Sequence, residues 1–506
     1  MTTLTENPPA SDSHAIIEEM ADLLAQHKLV PFFGAGISSQ HLGLAAAELA
    51  RDMAVQIGSP PETLLADLAD AYLDARGQDA FVAFLNSKLV VTDLDERKVP
   101  SHRLLVSLMQ NVLYTTNQDN LFELVAAKYG RPYRRVVTVD DLSESIPGEP
   151  LLIKFHGDMT VPTSLIFGTK SYLARMSEED HPLDIRLKSD LLGKRLMFLG
   201  YSLRDENIAK IFATVARIYK GTLPPSYLVA FDDDPALIAT AQQYQVKVII
   251  PARLFPDATN NGEAFERFLQ VLCDETRTRQ VKNGLDDMFS MGTINPHIVT
   301  DFEVKSVAAV VRHEPFETAV DAFRTTFDAA QAPEYLEQEI TDLFVGLVGR
   351  VDPTASDQMA ELSAALFNFR ISPGAAFIAT AHLMAACNKR PIAKGFDSYQ
   401  LISPALPRGS MPVAAAAAVA LLNERGEPIT DSFRRSADWW FRQHDQVSEN
   451  LKDQVVAAIQ SVWSGPHAAR SPLHHLFPSL GGNMDFHDIL DDMQARLPKR
   501  PSRPKE

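Results

Sequence analysis

The sequence predicts an α/β chain: a doubly wound, mainly parallel sheet in the first half and helices in the second. Three observations lead there. Seven short apolar runs in the first half alternate with segments of helical spacing. Those runs are continuously apolar rather than alternating, as a sheet covered on both faces requires. After about residue 285 strand-like runs become scarce, and helical patterns punctuated by proline and glycine take over. The layout is a Rossmann-like α/β domain over residues 13–280 and an all-α domain over 285–495. A disordered polar start (1–12) and a basic, proline-rich flexible tail (496–506) flank them.

The elements follow in order. "SHAIIEEMADLLAQH" places Ile16, Met20, Leu23 and Leu24 on one helical face, with Ser11 or Ser13 placed to cap it. "LVPFF" is a short strand, and "SQHLGLAAAELARDMAVQIG" is a helix. "ETLLADLADAYLDARGQDAFVAFLNSKLV" reads as two more helices. "SHRLLVSLM" is helical and "NVLYTT" a strand. "NLFELVAAKYG" is a helix stopped by Gly130. "RRVVTV", "LLIKFHG", "RLMFLGYS", "SYLVAF" and "VKVII" are further strands. "DENIAKIFATVARIY" and "DPALIATAQQYQ" are helices between the last three, and "GEAFERFLQVLCDETRTRQ" is the last helix of the domain. Later helical patterns include "PFETAVDAFRTTFDAAQ", "PEYLEQEITDLFVGLVGRV", "MAELSAALFNF", "AAFIATAHLMAAC", "SADWWFRQHD" and "KDQVVAAIQSVW", without a fixed repeat period.

Composition narrows the classes. The 506 residues are 45% hydrophobic and 22% charged, ordinary values for a soluble globular chain. Two distant cysteines, Cys273 and Cys387, exclude a disulfide framework and a cysteine-only zinc site. A formal net charge of −17 argues against direct nucleic-acid binding. The longest apolar stretch, Met411 to Leu422, is too short to span a bilayer, which takes about 20 residues. The expectation is a soluble, cytoplasmic protein without membrane contact.

In doubly wound sheets, ligands bind at the carboxyl ends of strands. After the first strand comes Gly34-Ala35-Gly36-Ile37-Ser38-Ser39. Glycines let backbone N–H groups approach a phosphate, and the following helix N-terminus favours its charge. Ser39 stands where a full G-x-G-x-x-G pattern has its third glycine. After the second strand comes Thr115-Thr116-Asn117-Gln118-Asp119-Asn120. Asp119 or Asn120 suits a helix cap, which leaves Asn117 and Gln118 for another purpose. A later strand ends in Lys154-Phe155-His156-Gly157-Asp158, where the histidine is placed to accept a proton. The next ends in Gly200-Tyr201-Ser202, with Ser202 or Asp205 suited to cap the following helix. His102 in "PSHRLL" reads as a packing residue at a helix start, Arg204 and Asp205 as pairing or capping groups, and Trp439-Trp440 as core. Neither "HGD" nor His474-His475 has metal-ligand spacing.

With "GAGIS" (34–38), "TTNQD" (115–119), "KFHGD" (154–158) and "GYSLRD" (200–205) in this order, residues 20–275 resemble the sirtuin-like NAD-binding family. The resemblance implies a sirtuin-like fold and NAD as substrate, without a metal. It implies that Gly34, Ala35, Gly36 and Ser38 line the diphosphate and adjacent ribose, alongside Thr116 and Gly200. Asn117 would hold the nicotinamide ribose and position a water, and Asp119 the carboxamide. His156 would act as general base. Ser202 would contact the adenosine ribose or phosphate, and Asp232 the adenine ribose.

The departures from protein-deacylating sirtuins matter equally. Those enzymes carry a four-cysteine zinc module between the last two motifs; the interval from Asp158 to Leu199 holds no cysteine. Their proline-aspartate-phenylalanine-arginine run after "GAGIS" is replaced by "SQHLGLAAAELA", and Gln118 stands where they have an apolar residue. The "TTN-x-D" and "GYS-xx-D" forms with an appended domain are similar to sirtuin-like effectors of bacterial anti-phage systems, which hydrolyse NAD to ADP-ribose and nicotinamide. Such an effector must stay silent until triggered, so homo-oligomerisation or a separate sensor protein is expected to act through the helical half. The alternatives are a module that holds NAD or ADP-ribose without cleavage, and a deacylase, which the missing cysteines disfavour.

Overall fold

A computed structural model describes residues 10–43, 46–60, 64–178, 181–201, 203, 206–219, 224–282, 297–327, 330–351 and 373–386, with a few single positions between 358 and 428. The chain divides into two units, Met1–Asn295 and Pro296–Glu506.

The first unit is built on seven parallel strands: β1 Leu29–Phe33, β2 Val112–Thr115, β3 Arg134–Val136, β4 Leu151–Lys154, β5 Arg195–Leu199, β6 Ser226–Val229 and β7 Val246–Ile249. Their order is β3-β4-β2-β1-β5-β6-β7. All seven apolar runs are strands, and β1, β4 and β6 are buried along their whole length. Pro31 sits inside central β1, where a missing N–H is normally excluded. The Gly34 N–H bonds to Leu199 on β5. N–H directions alternate along a strand, so the missing one at Pro31 faces β2. Pairing with β2 begins only beyond it, at Phe32↔Tyr114.

The core gathers on Phe32, whose ring lies 5.2–6.1 Å from those of Tyr114, Phe155, Phe198 and Tyr201. A second apolar cluster joins the helices Ala46–Ile57, Leu65–Arg76 and Gln78–Leu89 to Met159 and Leu165.

Several boundaries differ from expectation. The first helix starts at Ala10, so Ser11 and Ser13 lie inside it rather than ahead of it, and its buried face carries Ile17 rather than Ile16. The single helix expected after "GAGIS" is two, Ser39–Leu42 and Ala46–Ile57, because Gly43 takes φ +57 and ends the first. Helices also form at Val139–Ser143, Thr169–Ser177 and Pro182–Leu191, outside the elements the sequence predicts. Thr138 and Asp141 start the first with a reciprocal capping box, and Pro182 at the first turn suits the third.

The second unit, in its described part, has helices Asp301–His313, Phe316–Phe327, Glu334–Gly349 and Pro373–Ala386. A two-residue parallel pair, His297–Ile298 with Ala330–Gln331, interrupts an otherwise helical region. Phe323 packs on Phe327 and Phe344 in its core. The expected helices "MAELSAALFNF", "SADWWFRQHD" and "KDQVVAAIQSVW", the stretch Met411 to Leu422, His474-His475 and both termini lie largely or wholly outside the described residues. Among the described residues no helix is long and apolar enough to cross a membrane.

One register relation positions everything that follows. Phe33 pairs with Thr115 on one side and with Leu199 on the other, and Thr115 pairs with Lys154. Four adjacent strands therefore end in one row, about 14 Å long at ~4.8 Å per strand. The four polar motifs begin along that row. The loops after β1 and β5 diverge to opposite sides of the sheet, which makes their junction the topological switch point.

The β1–β5 junction is tight. Gly200 has φ +57, and a Cβ there would stand 2.7 Å from the Ile37 nitrogen. Gly200→Ala is expected to lower the unfolding free energy by about 2 kcal/mol or more, since strain and contact act together. Gly193→Ala, where a Cβ meets open space, should change it by less than about 0.5 kcal/mol. Urea denaturation of both variants checks the contrast.

Candidate functional site

The first loop leaves β1 through a short 3-10 turn, Ala35–Ile37. The Gly34 N–H is donated to the Leu199 carbonyl (3.0 Å) and the Gly36 N–H to the Gly200 carbonyl (3.1 Å). A Cβ on Gly36 would lie 2.9 Å from Gly200 Cα. Glycine is thus required here so that two backbones can touch, and both amides are engaged with the β5 side. Ala35 is exposed at the turn, and Ser38 is fully buried behind it.

The second loop is braced by Thr115. Its hydroxyl donates to the Phe33 carbonyl (3.0 Å) and accepts the Asn117 N–H (3.0 Å), while the Thr116 N–H also reaches Phe33 (3.3 Å). Asn117, 5% exposed, donates its Nδ2 to Ser38 Oγ at 3.0 Å. Its Oδ1 is among the buried side-chain atoms without a hydrogen-bond partner. An unpaired buried amide oxygen costs about 1–3 kcal/mol, so its presence marks a place where a ligand donor fits. Asp119 supplies the cap, accepting the Leu121 N–H at 3.1 Å. Asn120 instead clamps the Val91 backbone through both N–H and C=O.

The third loop is anchored by Lys154, 1% exposed at the end of β4. Its ammonium has three donors and finds three acceptors: the Asp119 carbonyl (2.7 Å), Glu123 (2.9 Å) and Asp158 (2.8 Å). Burial works against the Lys154 charge, but the facing carboxylates outweigh it and hold its pKa above the ordinary value. Asp158 is held below the usual carboxylate range; burial opposes this, and Lys154 and Thr160 overcome it.

His156, 7% exposed, follows directly. Its carbonyl accepts the Ile166 N–H, and its Nδ1 lies 3.3 Å from the Tyr172 hydroxyl, with the two rings edge-on. The segment carrying Tyr172 is tied to the small helical cluster by Thr169 to Asp67 and by the Lys170 N–H to Asp70. The cluster thus positions the histidine through its tyrosine neighbour.

The fourth loop presents Gly200 and Tyr201, whose ring lies against Phe32 and Phe198. Ser202, with Arg204 and Asp205, falls outside the described residues. Asp232 lies beyond the four-strand row, exposed after β6, and accepts a hydrogen bond from Asn261 at the start of the last helix of the unit. The structure therefore brings Ser38 and Asn117 into direct contact and sets the His156 loop one strand away. Asp232 is not part of that contact.

His102 is more than a packing residue. It is fully buried in the helix Pro100–Ser107, edge-on to Phe33, with Nε2 3.3 Å from Ser38 Oγ and Nδ1 unpartnered. Burial pushes its pKa down to about 4, with Asp119 working weakly against this and His41 with it, so the imidazole is neutral near pH 7. Among the eight residues of this helix none is exposed. The only sequence signal was a polar Ser-His-Arg run in so short a helix. Lys154, although inside a quoted motif, carried no signal either, because its partners come from two other segments.

Residues 111–249 match the SIR2-like domain family. The chain is 28% identical over 228 residues to the NAD(+) hydrolase ThsA of Enterococcus faecium, covering 43% of this chain and 46% of that protein. It is 26% identical over 209 residues to the NAD(+) hydrolase ThsA of Acinetobacter baumannii (strain 532279), covering 40% and 42%. Identity to the defense-associated sirtuin 2 of Bacillus subtilis is 25% over 270 residues, covering 51% of this chain and 26% of that one. The chain thus spans less than half the length of each of these relatives.

Two outcomes follow. Lys154→Met should destabilise the protein by about 2–4 kcal/mol, because half-buried Glu123 loses its ion pair and buried Asp158 is left with Arg135 alone; chemical denaturation measures it. The unfolded chain binds the His102 proton more readily than the folded one. Its contribution to stability is therefore complete above pH 6.5 and is lost as pH falls toward about 4. Between those limits wild type should lose up to about 3 kcal/mol more than His102→Phe. Parallel denaturation curves across that range test this, with Asp119 and His41 unchanged in both proteins.

Proposed function

We propose that this chain, which carries a SIR2-like domain over residues 111–249, hydrolyses NAD to ADP-ribose and nicotinamide. The single observation that carries the reading is the buried, unpartnered Asn117 Oδ1 beside Ser38, at the end of the strand row. Relatives named NAD(+) hydrolase support the substrate.

In the proposed reaction the bond between the ribose C1′ and the pyridinium nitrogen breaks. Its electron pair goes to that nitrogen, so nicotinamide leaves neutral. Asn117 holds the nicotinamide ribose and the water, and Asp119 holds the carboxamide. Water attacks C1′, and its proton passes to His156. Gly34, Ala35, Gly36, Ser38, Thr116 and Gly200 form the diphosphate and ribose side, with Ser202 and Asp232 toward the adenosine. No step calls for a metal. The interval where deacylases carry zinc cysteines holds two helices, Thr169–Ser177 and Pro182–Leu191, which favours hydrolysis over deacylation.

A role in anti-phage defence by NAD depletion fits the name of the B. subtilis relative. The helical unit would then keep the enzyme silent in the cytoplasm, through self-association or a docked sensor protein.

Asn117→Ala and His156→Ala should each slow nicotinamide release by about 100-fold or more, assayed on purified protein alone and with the products of neighbouring genes. Normal turnover in both variants would overturn the assignment. Tight NAD binding without turnover under any activating condition would favour the binding-module reading instead.

A further inference from the structure

The buried contact chain Asn117–Ser38–His102 has a direction. Asn117 Nδ2 donates to Ser38 Oγ at 3.0 Å, and Ser38 Oγ lies 3.3 Å from His102 Nε2. A hydroxyl has one hydrogen and two lone pairs. With one lone pair taken by Asn117, Ser38 turns its hydrogen to the Nε2 lone pair of a neutral imidazole protonated at Nδ1. All donors then point the same way, from Asn117 through Ser38 to His102. An imidazole with hydrogen on Nε2 would occupy the second lone pair, and the buried hydroxyl would keep its own hydrogen paired by turning it to Asn117. Ser38 would then donate to the amide oxygen, and the amide would turn its NH2 outward. The end of the chain thus decides which face of the Asn117 amide a ligand meets.

We propose that His102 is a positioning residue: as terminal acceptor of a relay through Ser38, it holds Asn117 with its carbonyl oxygen open to the ribose hydroxyl and water. This rests on the NAD-hydrolase reading for its kinetic consequence, though not for its geometry. His102 touches no substrate. It acts from inside a helix, with its own ring edge-on to Phe33. Phenylalanine retains that packing and removes the acceptor. Glutamine supplies an acceptor oxygen at similar reach.

The experiment has two readouts. In steady-state NAD cleavage, His102→Phe should lower kcat by about tenfold or more while KM moves less than about threefold, and His102→Gln should recover most of the loss. Placed in the Asn117→Ala background, His102→Phe should add no further loss, since the relay then has nothing to orient. Unchanged kcat in His102→Phe, or a full multiplicative loss in the double variant, would overturn the proposal.

The second readout needs no turnover. In protein labelled with 15N at asparagine amides, the Asn117 side-chain pair is identified by its absence from Asn117→Ala. It should exchange slowly with solvent in wild type and His102→Gln, and faster in His102→Phe and in Ser38→Ala. Ser38→Ala serves if His102→Phe does not fold. Identical exchange in wild type and the relay variants would sink the relay. If the wild-type protein releases no nicotinamide, the hydrolase reading fails while the amide spectra still decide the relay.

Discussion

The buried ammonium of Lys154 is the interaction on which the arrangement of the site depends. It joins the last residue of β4 to the backbone of the Asp119 loop, to Glu123 on the helix beyond, and to Asp158 past the histidine. A single cation thus sets the mutual position of the two loops that carry Asn117 and His156. Its full complement of acceptors explains why burial is tolerated. An isolated charge in this position would cost several kcal/mol, whereas here the carboxylates and one carbonyl replace the water. The loops are consequently held before any ligand arrives, as the proposed orientation of a sugar and a water requires.

On the other side of the row the same task is done without charge. Gly34, Gly36 and Gly200 allow the β1 and β5 loops to touch, and Phe32 packs Tyr201 beneath them. Ser38 then emerges from a rigid turn, close enough to bond Asn117. Electrostatic anchoring on the β2–β4 side and backbone contact on the β1–β5 side converge on one buried amide.

Much of this was legible in the sequence, for identifiable reasons. Continuous apolar runs such as those of β1, β4 and β6 could hardly be anything but buried strands, and their polar endings marked the carboxyl edge. Helix limits were less legible where one residue decides them: Gly43 breaks a pattern that otherwise reads as continuous. The helices Thr169–Ser177 and Pro182–Leu191 were hidden because their apolar positions are few and interspersed with charges. At the site, residue types were readable but pairings were not. Nothing in "PSHRLL" says that its histidine lies against a serine 64 residues earlier. Nor does "KFHGD" say that its lysine reaches back to Glu123. Such contacts are products of the strand order, in which β1 and β2 become neighbours after a long helical excursion.

The shared row of strand ends also governs how such a chain is able to diverge. The site depends first on where four strands stop relative to one another, and then on a few residues between them, such as His102, Glu123 and Tyr172, that brace the strand ends. Adding one residue inside β2 would turn Thr115 to the opposite face and carry Asn117 away from Ser38. Adding twenty residues between Ser38 and the start of that strand would leave the row untouched, at a small entropic cost. Lineages are therefore free to rebuild much of the excursions, and with it whatever covers or admits the ligand, provided that strand lengths and those bracing residues are kept. Relatives at about a quarter identity sit comfortably within that latitude.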